Sequence, residues 1–208
     1  RIIPLVIEEE KMQKACEVAG KKPIFRILPY QKKKAGIITT GSEVYYHRIE
    51  DKFTPVVIEK LKECGVTEVK QIQCNDDHEM ITEAIQTLIE DGSDLIVCTG
   101  GMSVDPDDRT PLAIKNACTE VVTYGAPVLP GAMFMLAYCE KEGRQIPVMG
   151  LPGCVMYAKR TIFDLVLPRI MCDEKLHEKD FRLLGQGGLC LSCPVCTFPN
   201  CGFGKGGY

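Results

Sequence analysis

The run AGIITTGSE, residues 35–43, decides the fold. Residues 35–40 carry no charge and read as a short buried strand, and Thr39-Thr40-Gly41-Ser42-Glu43 as the loop that leaves it. A helix follows, with Thr54 and Pro55 as cap and first-turn residues, Val57, Ile58, Leu61 and Cys64 as its apolar stripe, and Gly65 as its stop. Residues 68–73 predict a second strand. Asn75, Asp76, Asp77 and Glu79 then open a second helix, where their negative charge suits the N-terminal dipole. Its stripe runs through Met80, Ile81, Ala84, Ile85, Leu88 and Ile89 to Gly92, and residues 94–98 form a third strand. Alternation of this kind is the signature of a parallel sheet with right-handed crossovers. The fold class is therefore α/β, a three-layer α/β/α sandwich with a mostly parallel sheet.

Further along, Thr110-Pro111 opens a third helix, strands are expected around 120–123, 133–139 and 146–149, and a last helix over 154–166 ends near Pro168. Before residue 35, a short helix over 8–19 stops at Gly20 and a strand covers 24–28. The stretch from Lys21 to Ser42 holds Lys21, Lys22, Arg26, Lys32, Lys33 and Lys34 but no acid, which fits either a solvated linker or a phosphate-facing patch. The chain thus divides into residues 1–34, part of a preceding domain or a linker, a domain over 35–172, and an extension over 173–208 with a Cys-rich tail. It opens on Arg1, so a longer protein is expected around it.

Composition narrows the function. A net charge of −3 argues against nucleic-acid binding, which normally shows a basic excess. The charge-free stretch 121–139 is long enough to raise the membrane question, but Gly125, Pro127, Pro130 and Gly131 interrupt it, so no membrane partner is expected. Cys16, Cys64, Cys74, Cys98, Cys118, Cys139, Cys154 and Cys172 are scattered among apolar neighbours and read as buried small hydrophobes of a reduced compartment, hence a cytoplasmic location.

Open α/β sheets bind ligands where loops leave the carboxyl ends of strands. Three such loops share one chemistry: Thr39 to Glu43, Thr99-Gly100-Gly101-Met102-Ser103, and Gly150-Leu151-Pro152-Gly153. Glycines let backbone N–H groups approach an anion, and hydroxyls add donors. A phosphate or carboxylate pocket follows from the three together. Asp105, Asp107 and Asp108 beside the second loop would repel that ligand unless Mg²⁺ mediated; the plainer reading is that they cap the helix at Thr110. Asp76 carries the same pair of readings.

The runs TTGSE, CTGGMSVDPDDRTP, PVLPGAMFML and PVMGLPGC resemble the molybdopterin-binding domain shared by molybdopterin adenylyltransferase and molybdopterin molybdenumtransferase, over about residues 35–171. The resemblance implies a three-layer α/β/α sandwich that binds the dithiolene pterin, adenylates its phosphate with Mg-ATP, or exchanges the adenylate for molybdate. It implies catalytic roles for Asp108 and Asp76, and ligand-binding roles for Thr40, Gly41, Ser42, Glu43, Gly100, Gly101, Ser103, Asp105, Pro130, Gly131, Leu151, Pro152 and Gly153. Asp51 matches an acid the family places ahead of its first long helix. Two positions depart: the family's PGKP is Pro130-Gly131-Ala132-Met133 here, and its GLPGNP is Gly150-Leu151-Pro152-Gly153-Cys154-Val155. A basic anion ligand is thereby missing, which weighs against molybdate insertion.

Cys190, Cys193, Cys196 and Cys201 stand outside the family pattern, in the spacing C-x₂-C-x₂-C-x₄-C. Close thiolates can hold zinc or an iron–sulfur cluster, and the alternative is a Gly-rich tail with oxidisable thiols. His47, His78 and His177 read as solvated. The expected ligand is a pterin phosphate, with AMP or ATP as nucleotide partner. A homo-oligomer and a molybdoenzyme recipient are further expected partners. A non-catalytic carrier of the finished cofactor and a nucleotide pyrophosphatase of the competence-damage type are the competing functions.

Overall fold

The computed structural model describes residues 5–23 and 25–206. Its centre is one six-stranded sheet built from β1 (Lys34–Thr40), β2 (Glu68–Cys74), β3 (Leu95–Thr99), β4 (Glu120–Tyr124), β5 (Met135–Lys141) and β6 (Arg144–Leu151), in the order β2-β1-β3-β6-β5-β4. β2, β1, β3 and β6 run parallel, whereas β5 is antiparallel to both β6 and β4.

Strand side chains alternate between faces, and the two faces bury different helices. Ala35, Ile37, Leu95, Val97, Leu136 and Met149 point to a core shared with α3 (Phe53–Glu63), α7 (Ile162–Met171) and α8 (Glu178–Leu183). Ile38, Ile96, Cys98, Ala137 and Val148 point the other way, against α4 (His78–Glu90) and α5 (Thr110–Ala117). The result is the expected three-layer α/β arrangement. Two one-turn helices, α2 (Ser42–Tyr45) and α6 (Cys154–Tyr157), follow the first and third loops.

Several local expectations need correction. The helix expected over 154–166 is two helices, because Thr161 accepts from the Phe163 amide and Asp164 accepts from the Thr161 amide, a capping box that starts α7 afresh. Pro168 lies inside α7 instead of ending it; Ile170 and Met171 beyond it are buried and hold the last turn. Residues 25–28 form no strand, and residue 24 lies outside the described residues. The expected helix near residue 8 forms as α1 (Glu9–Ala19) and buries nothing. Cys118 and Cys139 are paired as a disulfide between the end of α5 and β5, and Cys16 is exposed, so the scattered cysteines are not uniformly buried free thiols. Burial does push the Cys98 thiol up, and the Cys74 thiol to about 11, which leaves both protonated and inert. No helix among the described residues is long and apolar enough to cross a membrane.

After α8 the chain turns back and docks on the sheet's loop-bearing edge. The Leu129 amide donates to Gly188 O and the Cys190 amide to Leu129 O, while Phe203 sits in the core at 4% exposure. Arg160 ties this region down: it donates to Glu63 of α3 (2.9 Å) and Asp164 of α7 (2.8 Å), and its guanidinium lies 5.3 Å over the Phe198 ring. Asp164 also accepts from the buried Lys60 at 2.7 and 2.9 Å, so α3 and α7 are joined by an ion pair sequestered from water.

Candidate functional site

The three Gly-bearing loops leave β1, β3 and β6, which are parallel neighbours, so all three emerge on one rim. The first and second loops interlock. Thr110 Oγ1, fully buried at the start of α5, donates to Gly100 O at 2.9 Å and lies 3.2 Å from Thr40 Oγ1. Gly100 has a φ of +85°, and a Cβ there would meet Thr40 O at 2.2 Å, so only glycine allows the backbones to touch. Met102 folds under the loop and packs over Gly150, which brings the third loop alongside.

A fourth loop reaches the same rim, because the antiparallel β5 begins where β6 ends. Pro130 O accepts from the Ile162 amide at 3.1 Å, and Gly131 packs so tightly on Ile162 that a Cβ would come within 2.4 Å of it. Together Ser103, Pro130, Gly131, Pro152, Gly153 and Cys154 line a cavity of about 550 Å³, within the range small-molecule pockets occupy. Burial pushes the Cys154 thiol up, so it stays uncharged in that wall.

Not every expected site residue lines this cavity. Leu151 is wholly buried beneath it, and Thr40, Gly100 and Gly101 form the shelf at its side. Gly41, Ser42 and Glu43 lie at the start of α2, outside its walls. Asp76 holds that loop: the Ser42 amide and hydroxyl donate to its Oδ2 at 2.9 and 2.8 Å. Asp108 does the same for the second loop, accepting from the Ser103 amide at 2.5 Å. Asp105 closes a local turn, with its own amide on Ser103 Oγ (3.1 Å) and its carboxylate on the Asp107 amide (3.0 Å). Asp51 accepts from the Phe53 and Thr54 amides and from Thr39 Oγ1. Burial alone would raise its pKa, but these bonds hold the carboxyl below the ordinary range.

Sequence reasoning treated Thr110 only as a helix start and missed its role as the bond between two loops; a hydroxyl two residues from the acid run was the available signal. It also missed Leu189 and Cys190, which wall the cavity from the far end of the chain. Nothing in their spacing pointed there. The tail expectation is corrected: among the described residues no three His, Cys, Asp or Glu gather as a metal cage. The four tail cysteines line one cavity, with Cys190 fixed by the Leu129 pairing and Cys201 packed against the core, and they are not gathered as a metal cage among the described residues.

An open α/β sheet with Gly-bearing turns converging at the carboxyl ends of its parallel strands puts the chain in the three-layer α/β class, in which that rim is where ligands bind. Residues 36–171 match the family model described as "Probable molybdopterin binding domain", and the chain belongs to that family, whose setting is molybdenum-cofactor biosynthesis. Among solved structures it resembles the tungsten cofactor synthesizing protein MoaB from Pyrococcus furiosus, at a TM-score of 0.56 and 20% identity, covering 70% of this chain and 99% of that one. It also resembles the structure described as "Putative molybdenum cofactor biosynthesis protein from Corynebacterium diphtheriae", at 0.55 and 15%, covering 69% and 97%. At such identities the likeness speaks for the fold. A CinA-like protein from Mycobacterium sp. (strain JLS) is 35% identical over 85 residues, 41% of this chain and 20% of that protein. The chain thus spans about a fifth of the length of the curated relatives it matches.

Proposed function

We propose that this protein holds a pterin phosphate of molybdenum-cofactor biosynthesis at the rim, with the phosphate on the amides and hydroxyls of the interlocked loops. The observation that carries the reading is the Thr40–Thr110–Gly100 junction, which locks two amide-rich turns side by side at the edge of a pocket-sized cavity. Fixed N–H groups of this kind bind an anion without paying to order themselves. Ser103 and the turns at Gly131 and Gly153 complete the cradle.

Adenylyl transfer is the chemistry that fits the acids. Asp76 and Asp108 each steady a loop through Oδ2. Two carboxylates are hard oxygen donors suited to Mg²⁺, which would take the rest of its shell from phosphate and water. When bound, the ion would offset charge on the phosphates of ATP; Asp76 and Asp108 would hold it while the loop amides orient the pterin phosphate. Molybdate insertion is the weaker alternative, since Ala132 stands where the family carries a lysine. Carriage of the finished cofactor needs only the cradle.

The test is incubation with molybdopterin, Mg-ATP and molybdate, followed by product analysis. Adenylated pterin, abolished in Asp108→Asn with the fold intact, supports the transferase reading. Tight binding without turnover supports carriage. Cleavage of a dinucleotide with indifference to pterin sinks both.

A further inference from the structure

Cys190, Cys193, Cys196 and Cys201 line a cavity of about 620 Å³ in the tail, and none of them is needed to hold an anion on the rim loops. The four thiols are not equivalent. Cys190 and Cys201 are half-buried, the first with its amide on Leu129 O and the second packed against the core, whereas Cys193 and Cys196 are exposed. Three residues of extended chain span about 10 Å, farther than the roughly 7 Å limit between the Cα atoms of a disulfide. Between Cys190 and Cys193 the chain makes no bend. Between Cys193 and Cys196 it bends at both Pro194 and Val195, which shortens that span.

The surroundings of the two exposed thiols differ in charge. The cavity that Cys193 lines holds two cations, Lys159 and Arg160, and no carboxylate among the described residues. Arg160 is committed to Glu63 and Asp164, so Lys159 supplies the attraction for an anion. Cys196 also lines a neighbouring cavity of about 450 Å³, where Glu59 and Glu63 oppose that attraction.

We propose that Cys193 and Cys196 form a thiol–disulfide centre whose co-reactant is an anionic low-molecular-weight disulfide. The Cys193 thiolate attacks one sulfur of that disulfide, forming a mixed disulfide and releasing one thiolate. The Cys196 thiolate then attacks the Cys193 sulfur, closing the protein disulfide and releasing the second thiolate. The two protons lost by the protein pass through solvent to the two released thiolates. The co-reactant is reduced and the pair oxidised.

The test treats protein with reduced tail thiols with glutathione disulfide and maps the peptides by mass spectrometry without reduction. The wild type should gain a Cys193–Cys196 bond and retain no glutathione there, whereas Cys16, exposed on α1, should keep any glutathione it takes up. Cys196→Ser should stop at one glutathione on Cys193, and Cys193→Ser should react severalfold more slowly. Lys159→Glu should slow the reaction with glutathione disulfide severalfold and leave that with neutral hydroxyethyl disulfide unchanged. A bond to Cys190 or Cys201, or glutathione retained on wild-type Cys193, overturns the pairing. Cys193→Ser reacting at the wild-type rate overturns the order of attack, and equal slowing of both disulfides by Lys159→Glu overturns the choice of an anionic co-reactant.

Discussion

Two appendages flank the sheet, and they behave in opposite ways. At the N-terminal end, α1 makes a full three-turn helix yet buries no residue; Val18 is 89% exposed. At the C-terminal end, α8 is half as long, and the chain after it has almost no regular structure. Yet Leu176, Phe181 and Phe203 are buried, Phe181 stacks on Phe134 of the sheet layer, and Arg169 clasps Glu174 and Asp180. Regularity and attachment are separate properties. A helix forms from local propensity, but docking needs apolar area removed from water, and a few well-placed aromatics supply more of it than an amphipathic turn with nowhere to lie.

The contrast can be broken by mutation, and the largest effect falls on Phe181. Phe181→Ala should cost about 3–5 kcal/mol of global stability, as other buried Phe truncations do, measured by urea unfolding. A loss below about 1 kcal/mol means that α8 is only a passenger. Phe203→Ala should act locally: faster proteolytic nicking between 185 and 206 with the midpoint of global unfolding shifted by a few degrees at most. Simultaneous loss of the whole fold in that variant would merge tail and core into one cooperative unit.

A smaller effect sharpens the electrostatic side. Hydrogen bonds from Arg169 lower the pKa of Glu174; burial opposes the same shift in Asp180, but the His177 amide and Arg169 outweigh it. Carboxyls whose folded pKa lies below the unfolded value stabilise above that unfolded value and lose the contribution as pH falls through the folded one. The melting temperature should therefore be flat from about pH 7 to pH 5 and decline below about pH 4. Arg169→Gln should shallow that decline; an unchanged slope assigns it to other carboxyls. Smallest of all, Val18→Ala should shift stability by less than about 0.5 kcal/mol, as an exposed position does.

Much of the fold was legible because its signals are periodic. The stripe through Ile81, Ile85 and Leu88 and the alternation of Ile37 with Ile38 each encode one buried face, and the layering of helices on both sides of the sheet follows from them. The break at Thr161 was missed because Ile162 to Leu167 continues the apolar run, and only the Thr161–Asp164 capping pair marks the restart. The candidate site was legible as glycine and hydroxyl composition, since amide-rich turns need those residues. Its tail wall was not. Leu189 meets Leu129 through backbone pairing at a separation of sixty residues, and such a contact leaves no local pattern. The Cys118–Cys139 pair was hidden for the same reason.

The reversal of β5 has a consequence for how such a protein can vary. Because that strand runs against its neighbour β6, the hairpin joining them turns at Glu142-Gly143, at the end of the sheet remote from the rim. Extra residues inserted there would lengthen a harmless protrusion. The same number inserted between Tyr124 and Met135, where the chain crosses the rim, would reshape the cavity that Leu129, Pro130, Gly131, Ala132 and Met133 line, without disturbing the sheet.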